Sequence, residues 1–155
     1  MSIWFRPTTL EQVQNLFGGI RDLSSHLDIR LTELGEDYLR GTMPVDERTR
    51  QPYGLLHGGA SVVLAETLGS TASNLCLDTR RFYAVGQEIN ANHLRSARFG
   101  RVTGTARALH LGSRTHVWDI QLEDESGRLT CVSRLTMAVI DAPGKGMALL
   151  APGQS

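Results

Sequence analysis

The sequence has no surplus of charge of either sign and no long uninterrupted apolar run. Its 155 residues include 16 basic and 16 acidic side chains, so the formal net charge is zero. Because nucleic-acid-binding proteins usually carry a basic surplus, this balance argues against nucleic acid as a partner. The longest apolar stretch, at residues 59–77, is interrupted by Ser, Thr, Gly and Glu, and we therefore expect no membrane partner.

Cysteine and metal-ligand motifs are also scarce. Cys76 and Cys131 stand far apart without a CxxC pattern, which is typical of reduced core thiols. The first residues, MSIWFRPTTLEQ, lack the apolar run and cleavage site of a signal peptide, so we expect a cytoplasmic protein. The five histidines fit no HExxH or Cys/His spacing, and we expect no metal and no cofactor.

Two further enzyme signatures are missing. No G-x-S-x-G motif occurs, which argues against a serine hydrolase of the nucleophile-elbow type. The GKG at residues 144–146 has no strand, loop and helix around it, so it is not a phosphate-binding loop.

A length of 155 residues suits a single domain over residues 1–155. Hydrophobic periodicity predicts the element order α-β-β-α-β-β-β-β. Thr8 and Glu11 resemble a capping box for a short helix within an N-terminal helical segment of residues 1–24. The tail, residues 141–155, is expected to be mobile. Strand alternation and the long apolar segment predict two strands, a long helix and four more strands, within 26–35, 37–45, 58–77, 84–95, 101–110, 114–123 and 128–140. Strands joined by short turns, such as the one at Gly127, pair antiparallel and must share one core with the helix.

Glu66 is the one formally charged side chain between residues 51 and 77. At 100° per residue, one stripe of the long helix faces the sheet, formed by Leu64, Leu68, Ala72 and Leu75. Glu66 falls on the other side, beside Gly59, Val62, Ser70 and Ser73. A solvated face of this length would carry several charges, so we expect a second copy of the chain to cover it. The alternative is that Glu66 simply marks a solvent-exposed face.

The long helix begins at a His-Gly-Gly sequence, His57 to Gly59. Free N–H groups and the helix dipole at such a start attract negative charge, including a carbonyl oxygen that becomes an oxyanion. The plainer interpretation is that the glycines ease a tight loop into a helix. His57 lies nine residues before Glu66, or ~13 Å along the axis, and points the other way. If both act on one substrate, they come from different subunits.

Four segments carry a resemblance to a known family: MPVDERTRQPYGLLHGGASVVLAETLGS, EINANHLRSARFGRV, LHLGSRTHVWDI and GRLTCVSRLT. Together they resemble the hotdog-fold acyl-CoA thioesterases, in the 4-hydroxybenzoyl-CoA and phenylacetate-type branch. The resemblance implies an α+β hotdog fold, with a curved antiparallel sheet wrapped around one long central helix. It also implies homodimers with a continuous sheet, usually assembled as tetramers. The N-terminal segment and the tail after Ile140 depart from the family's pattern, and both can alter the edges of the pocket.

The resemblance also implies roles for individual residues. Glu66 would be the catalytic carboxylate, and Ser70, one turn later, would help to place water or substrate. Gln51 and His57 would come from the facing subunit, where the Gly58 N–H would hold the thioester oxygen. Gly86 would lie near the same site. The coenzyme A groove would be lined by Asn92, His93, Leu94, Arg95, His110, Leu111, Gly112, Ser113, Arg114 and Thr115.

Several alternatives stay open at the level of sequence. Glu66 can attack the thioester directly or act as a base on water, and burial beside Val62 and Val63 should raise its pKa. Guanidinium groups suit the phosphates of coenzyme A, which favours Arg95 and Arg114 and leaves Arg98 and Arg101 undecided. The resemblance implies an aromatic acyl group, although the predicted pocket residues Val62, Ser73 and Asn74 do not identify it.

Two functions compete with hydrolysis of acyl-CoA. A hydratase or dehydratase of the same fold would place a His/Asp pair at the helix, and the sequence has none there. A non-catalytic acyl-CoA-binding module is the other, because fold alone does not determine function. The set Gln51, His57 and Glu66 argues against mere binding, since binding requires no charged group at the carbonyl.

Overall fold

The computed structural model describes residues 1–143, which form three helices and six strands. In chain order the elements are α1 (Leu10–Phe17), α2 (Leu23–His26), β1 (Arg30–Leu34), β2 (Tyr38–Pro44), α3 (Gly58–Leu75), β3 (Phe82–His93), β4 (Arg101–Leu111), β5 (Thr115–Glu123) and β6 (Leu129–Asp141). No helix among these is long and apolar enough to cross a membrane.

One antiparallel sheet contains all six strands in the order β1-β2-β4-β5-β6-β3. Helix α3 packs against strands β2 to β6, so the sheet must curve around it. This arrangement confirms the predicted hotdog architecture of one long helix wrapped by an antiparallel sheet. The turn at Gly127 also has the predicted positive φ, of 72°.

Glycines in the sheet allow α3 to approach it closely. Gly41 in β2 and Gly104 in β4 are register partners, and Leu68 of α3 lies over both. A Cβ at Gly104 would lie 2.7 Å from a Leu68 methyl carbon, and one at Gly41 would lie 2.9 Å from the other. Leu64, Leu68 and Ala72 are fully buried here, as the helical stripe predicted. This close packing fixes the rotation of α3 and therefore the direction in which Glu66 points.

The helix caps differ from the prediction. The capping box of α1 uses Thr9 and Gln12, one residue later than the predicted Thr8 and Glu11. The Thr8 hydroxyl instead donates to the carbonyl of Arg6. The short helix α2 was not predicted, and α3 ends at Leu75, two residues early. Most of the tail that was expected to be mobile, residues 144–155, lies outside the described residues.

Ser73 does not lie on the Glu66 side of α3, and this part of the prediction was wrong. Its hydroxyl is fully buried, accepts a hydrogen bond from the Trp118 indole N–H at 2.6 Å and lies 3.3 Å from His116 Nδ1. Asn74 also has a structural role, because its side-chain nitrogen donates to the carbonyl of Ala84 and its side-chain oxygen accepts the N–H of Ala84. The sheet covers a wider arc of α3 than the helical stripe of leucines indicated.

One edge strand of the sheet is covered by a helix and the other is not. Helix α1 packs against β1, where the Gln14 amide donates to the carbonyl of Leu31 at 2.8 Å. Strand β3 is twelve residues long, and within residues 1–143 nothing pairs with its outer side. Residues 85–88 of this edge are exposed. A long bare edge is a template for pairing with another chain.

The two cysteines are unpaired, as predicted. Cys131 is buried in the core and Cys76 is half-buried at the end of α3. Burial raises the pKa of the Cys76 thiol to about 12, so this group is not a nucleophile near neutral pH.

Candidate active site

Glu66 lies half-buried at the middle of α3 and faces the first half of β3. A Cβ at Gly86 would overlap the Glu66 carboxylate, so only glycine leaves room for it there. Gly86 also begins a β-bulge, where the β3–β6 register shifts between Gly86 and Glu88. Burial raises the pKa of Glu66, in the expected direction. The strand therefore holds a partly desolvated carboxylate beside the bare sheet edge.

Glu66 and Ser70 line a cavity of about 740 Å³ between α3 and the N-terminal segment. Three of its other wall residues, Ser24, Thr67 and Thr71, were missed from the sequence. Thr67 and Thr71 flank Glu66 and Ser70 on the helix surface, so the 3.6-residue period could have identified them. Ser24 lies on α2, an element that the sequence did not predict.

At the start of α3, most of the first N–H groups already have acceptors. His57 is the N-cap, and its Nδ1 accepts from the Gly59 N–H at 2.8 Å. The His57 carbonyl accepts from Ala60 at 2.9 Å and Ser61 at 3.2 Å. No acceptor among the described residues takes the Gly58 N–H. That donor, at the positive end of the helix dipole, is suited to a carbonyl oxygen that gains negative charge.

A second cavity, of about 280 Å³, opens at this helix start. Gly58 packs against the ring of His93, to which a Cβ would come within 2.8 Å. The side-chain oxygen of Gln51 accepts the Tyr53 N–H, which leaves the Gln51 amide nitrogen as a donor. The structure thus brings together several predicted site residues along this cavity: Gln51, Gly58, His93, Leu94 and Arg95.

The predicted catalytic residues therefore form two groups in one chain. Glu66, Ser70 and Gly86 belong to one group, and Gln51 and Gly58 belong to the other. Glu66 lies eight residues after Gly58 in α3, which is ~12 Å along the axis. No residue lines both cavities.

The predicted coenzyme A segments are also far apart within one chain. Thr115 pairs with Ala138, which pairs in turn with Val85 near the start of β3. His93 is at the opposite end of that strand, eight residues and ~27 Å away. The turn that contains His110, Leu111, Gly112, Ser113, Arg114 and Thr115 therefore does not meet Asn92, His93, Leu94 and Arg95 of the same chain.

The arginines near these segments differ in their contacts. Arg101 bonds Asp28 and Thr42 and is part of the scaffold. Arg98 offers its backbone carbonyl to Arg50. Arg95 donates to the carbonyl of Leu129 at 3.1 Å from an exposed position. The exposed guanidinium of Arg114 lies 3.5 Å from Asp141, a long contact that leaves it accessible to an anion.

Within residues 1–143 no group of three or more His, Cys, Asp or Glu side chains is arranged to hold a metal ion.

A family model described as the thioesterase superfamily matches residues 53–131, which include Gly58 and Glu66. The 1,4-dihydroxy-2-naphthoyl-CoA hydrolase of Escherichia coli is 56% identical over 138 residues, 89% of this chain and 99% of that protein. The proofreading thioesterase EntH of Cronobacter turicensis is 49% identical over 138 residues, 89% of this chain and 98% of that protein.

The crystal structure of a mutant thioesterase from Pseudomonas aeruginosa is similar to this fold with a TM-score of 0.86 at 53% identity. That similarity covers 90% of this chain and 99% of the other. The family match over about half of the chain, together with relatives near 50% identity over most of its length, confirms the resemblance found in the sequence. The chain belongs to the thioesterase superfamily, has the hotdog fold and is a thioester hydrolase.

Proposed function

We propose that the protein hydrolyses coenzyme A thioesters at sites shared between two protomers. Each site combines Glu66 of one protomer with the Gly58 N–H of the other. The observation that carries this proposal is the position of both groups against one bare strand. Glu66 contacts β3 at Gly86, near its start, and Gly58 contacts β3 at His93, its last residue.

A twofold axis between two copies of β3 would place Glu66 of one protomer close to Gly58 of the other. If β3 pairs with its copy in antiparallel fashion about a point near Ile89 and Asn90, Gly86 of one chain lies beside the partner's His93. Glu66 then approaches the helix start of the partner subunit, and the same contact occurs twice in the dimer. The other edge of the sheet, β1, is already covered by α1 and is unsuited to this pairing.

The same twofold pairing brings together the two segments expected to hold coenzyme A. The β4–β5 turn lies near the start of β3, and the partner's Asn92 and Arg95 lie at the end of its β3. Antiparallel pairing places these ends side by side. Arg114 from one chain and Arg95 from the other would then both face the groove, where guanidinium groups suit phosphate.

The chemistry at the site divides between the two protomers. Glu66 either removes a proton from water, whose oxygen attacks the thioester carbon, or attacks that carbon itself to form an anhydride that water then opens. In both routes the carbon–sulfur bond breaks, the thiol leaves with a proton and a carboxylic acid forms. The oxygen that becomes negative accepts the Gly58 N–H at the partner's helix start.

Three further side chains orient the reactants. The free amide nitrogen of Gln51 can donate to the thioester, and His57 is the N-cap of the helix whose start would hold the thioester oxygen. Ser70, one turn after Glu66 and on the wall of the same cavity, can hold the attacking water. The protein needs no resident cofactor in this scheme, because coenzyme A is part of the substrate.

The acyl group is proposed to be aromatic, because the Escherichia coli relative is a 1,4-dihydroxy-2-naphthoyl-CoA hydrolase. Assembly of two such dimers into a homotetramer, and a cytoplasmic location, remain predictions.

Release of free thiol from a panel of acyl-CoAs tests the proposal. The wild type should hydrolyse aryl-CoAs, and Glu66→Gln, which keeps the shape and removes the charge, should lower kcat by at least about 100-fold. Glu36→Gln changes an exposed glutamate in the β1–β2 turn and should leave kcat unchanged. Equal rates for Glu66→Gln and the wild type would contradict the assignment. Binding without thiol release would instead support an acyl-CoA-binding module, and hydration of the acyl chain would support a hydratase.

A further inference from the structure

The cavity of about 740 Å³ beside Glu66 has two walls of different origin. One is the surface of α3 that carries Glu66, Thr67, Ser70 and Thr71. The other is built from β1 and the N-terminal segment, which contributes Phe17 and Ser24 among others. Its volume lies within the range of ~300–1,000 Å³ that is usual for small-molecule sites. A two-carbon acyl group would leave most of this space unfilled.

The N-terminal wall is fixed rather than loosely attached. The Trp4 indole N–H donates to the carbonyl of Gly35 at 2.7 Å, and Trp4 is almost fully buried. The Phe5 N–H donates to the carbonyl of Leu75, the last residue of α3, at 2.9 Å. The hydroxyls of Ser24 and Thr67 lie 3.4 Å apart and join α2 to α3 across the cavity wall. A wall attached to the middle of α3 at Thr67 and to its C-terminal end at Leu75 can limit the size of what enters.

Charged and amide groups on this wall already have partners. Asp22 caps α2 by accepting the Ser25 N–H at 2.8 Å. Arg30 pairs with Asp28, and the Gln14 amide donates to the carbonyl of Leu31. The remaining polar groups that face the cavity are mainly hydroxyls of Ser and Thr. Such a lining suits an uncharged, ring-sized acyl group, with hydroxyl partners for a polar substituent.

We propose that this cavity receives the acyl group and that the N-terminal segment, residues 1–24, selects for large uncharged acyl groups. This inference rests on the proposed function, because Glu66 must meet the thioester carbon at the mouth of the cavity. The acyl group then extends between Thr71 on α3 and Phe17 at the end of α1. The segment lies outside the family match at residues 53–131, so it can vary the substrate without changing the catalytic groups.

The test is the ratio of kcat/KM for 2-naphthoyl-CoA to kcat/KM for propionyl-CoA, measured by thiol release. Thr71→Phe puts a ring into the cavity, and the ratio should fall by at least about ten-fold. Thr79→Phe makes the same change at an exposed position outside the cavity, and should leave the ratio within about two-fold of the wild type.

A second pair of variants tests the opposite wall, and it also tests the acyl-group selectivity of the cavity if Thr71→Phe does not fold. Phe17→Ala removes a ring from the N-terminal wall, so KM for 2-naphthoyl-CoA should rise at least about three-fold more than KM for propionyl-CoA. Phe5→Ala removes a ring that does not line the cavity and should change both values equally. This inference would be overturned if the kcat/KM ratio of Thr71→Phe matched that of Thr79→Phe and the relative change in the two KM values of Phe17→Ala matched that of Phe5→Ala. A wild type that releases thiol from neither ester would instead overturn the proposed function.

Discussion

A single methyl group at position 86 should disable the site without unfolding the protein. In Gly86→Ala the new Cβ would overlap the Glu66 carboxylate. Gly86 does not have a positive φ, so its backbone accommodates alanine. The group that must move is therefore the end of the Glu66 side chain, which has to retreat by roughly 1 Å to restore a van der Waals distance.

The size of the effect follows from that displacement. A misplacement of about 1 Å in a catalytic group can lower the rate by about 100-fold, or roughly 2.7 kcal/mol in the activation free energy. We expect this loss in kcat, measured by thiol release from an aryl-CoA. The free energy of unfolding in urea should change by less than about 1 kcal/mol, because alanine is acceptable in a strand.

A double variant separates an effect through Glu66 from a general disturbance of β3. If the methyl acts by displacing the carboxylate, Gly86→Ala should add little to the loss already caused by Glu66→Gln. Fully additive losses would show that position 86 acts by another route. Wild-type kcat in Gly86→Ala would show that the position of the Glu66 carboxylate does not limit the rate.

Three other predictions concern pH and stability. Burial raises the pKa of Glu66, and the reaction needs the ionised carboxylate. As the pH falls, kcat/KM should therefore begin to drop at a higher pH than it would for a glutamate with the usual pKa of 4.5. Ser73→Ala leaves the buried Trp118 N–H without its acceptor and should lower the free energy of unfolding in urea by about 1–3 kcal/mol. Ser70→Ala, on the same helix, should lower it by less than about 0.5 kcal/mol. Burial and nearby His110 lower the pKa of His116 in the folded protein. Below the usual pKa of 6.5, His116 is therefore protonated more readily in the unfolded chain than in the folded one. The melting temperature should therefore fall as the pH drops through that value, and His116→Gln should reduce this fall.

Periodicity was sufficient to predict the main elements of the fold. The 3.6-residue spacing of Leu64 and Leu68 reflects burial against one core, which the structure contains. The alternation of Leu27, Ile29 and Leu31 predicted the first strand but began it too early, because Leu27 caps α2 and β1 begins at Arg30. The long helix and six strands follow directly from such patterns. The N-cap residue of α1 could not be predicted in this way, because Thr8 and Thr9 are equally good caps and the tertiary structure determines which of them is used.

The site was accessible only in part from sequence. Glu66 stood out because it is a lone charge on an apolar helix, and its distance from His57 led to the prediction that two subunits share the site. The role of Ser73 could not be inferred, because a helical wheel does not tell how far a sheet curls around the helix. The contact of Gly86 with Glu66 depends on strand order, with β3 at the edge next to β6 rather than beside β4. The acyl cavity depends on where the N-terminal segment docks, which no local pattern encodes.

Activity of mixed dimers tests the shared site most directly. Glu66→Gln and Gln51→Ala each remove one half of the site, so each protein alone should be nearly inactive. When the two chains are co-expressed in equal amounts, half of the dimers are mixed, and each mixed dimer has one site with both groups intact. If the site is shared between protomers, the mixture should recover about one quarter of wild-type kcat. A mixture no more active than its better parent would show that Glu66 and Gln51 act within one chain and that the two protomers do not share a site.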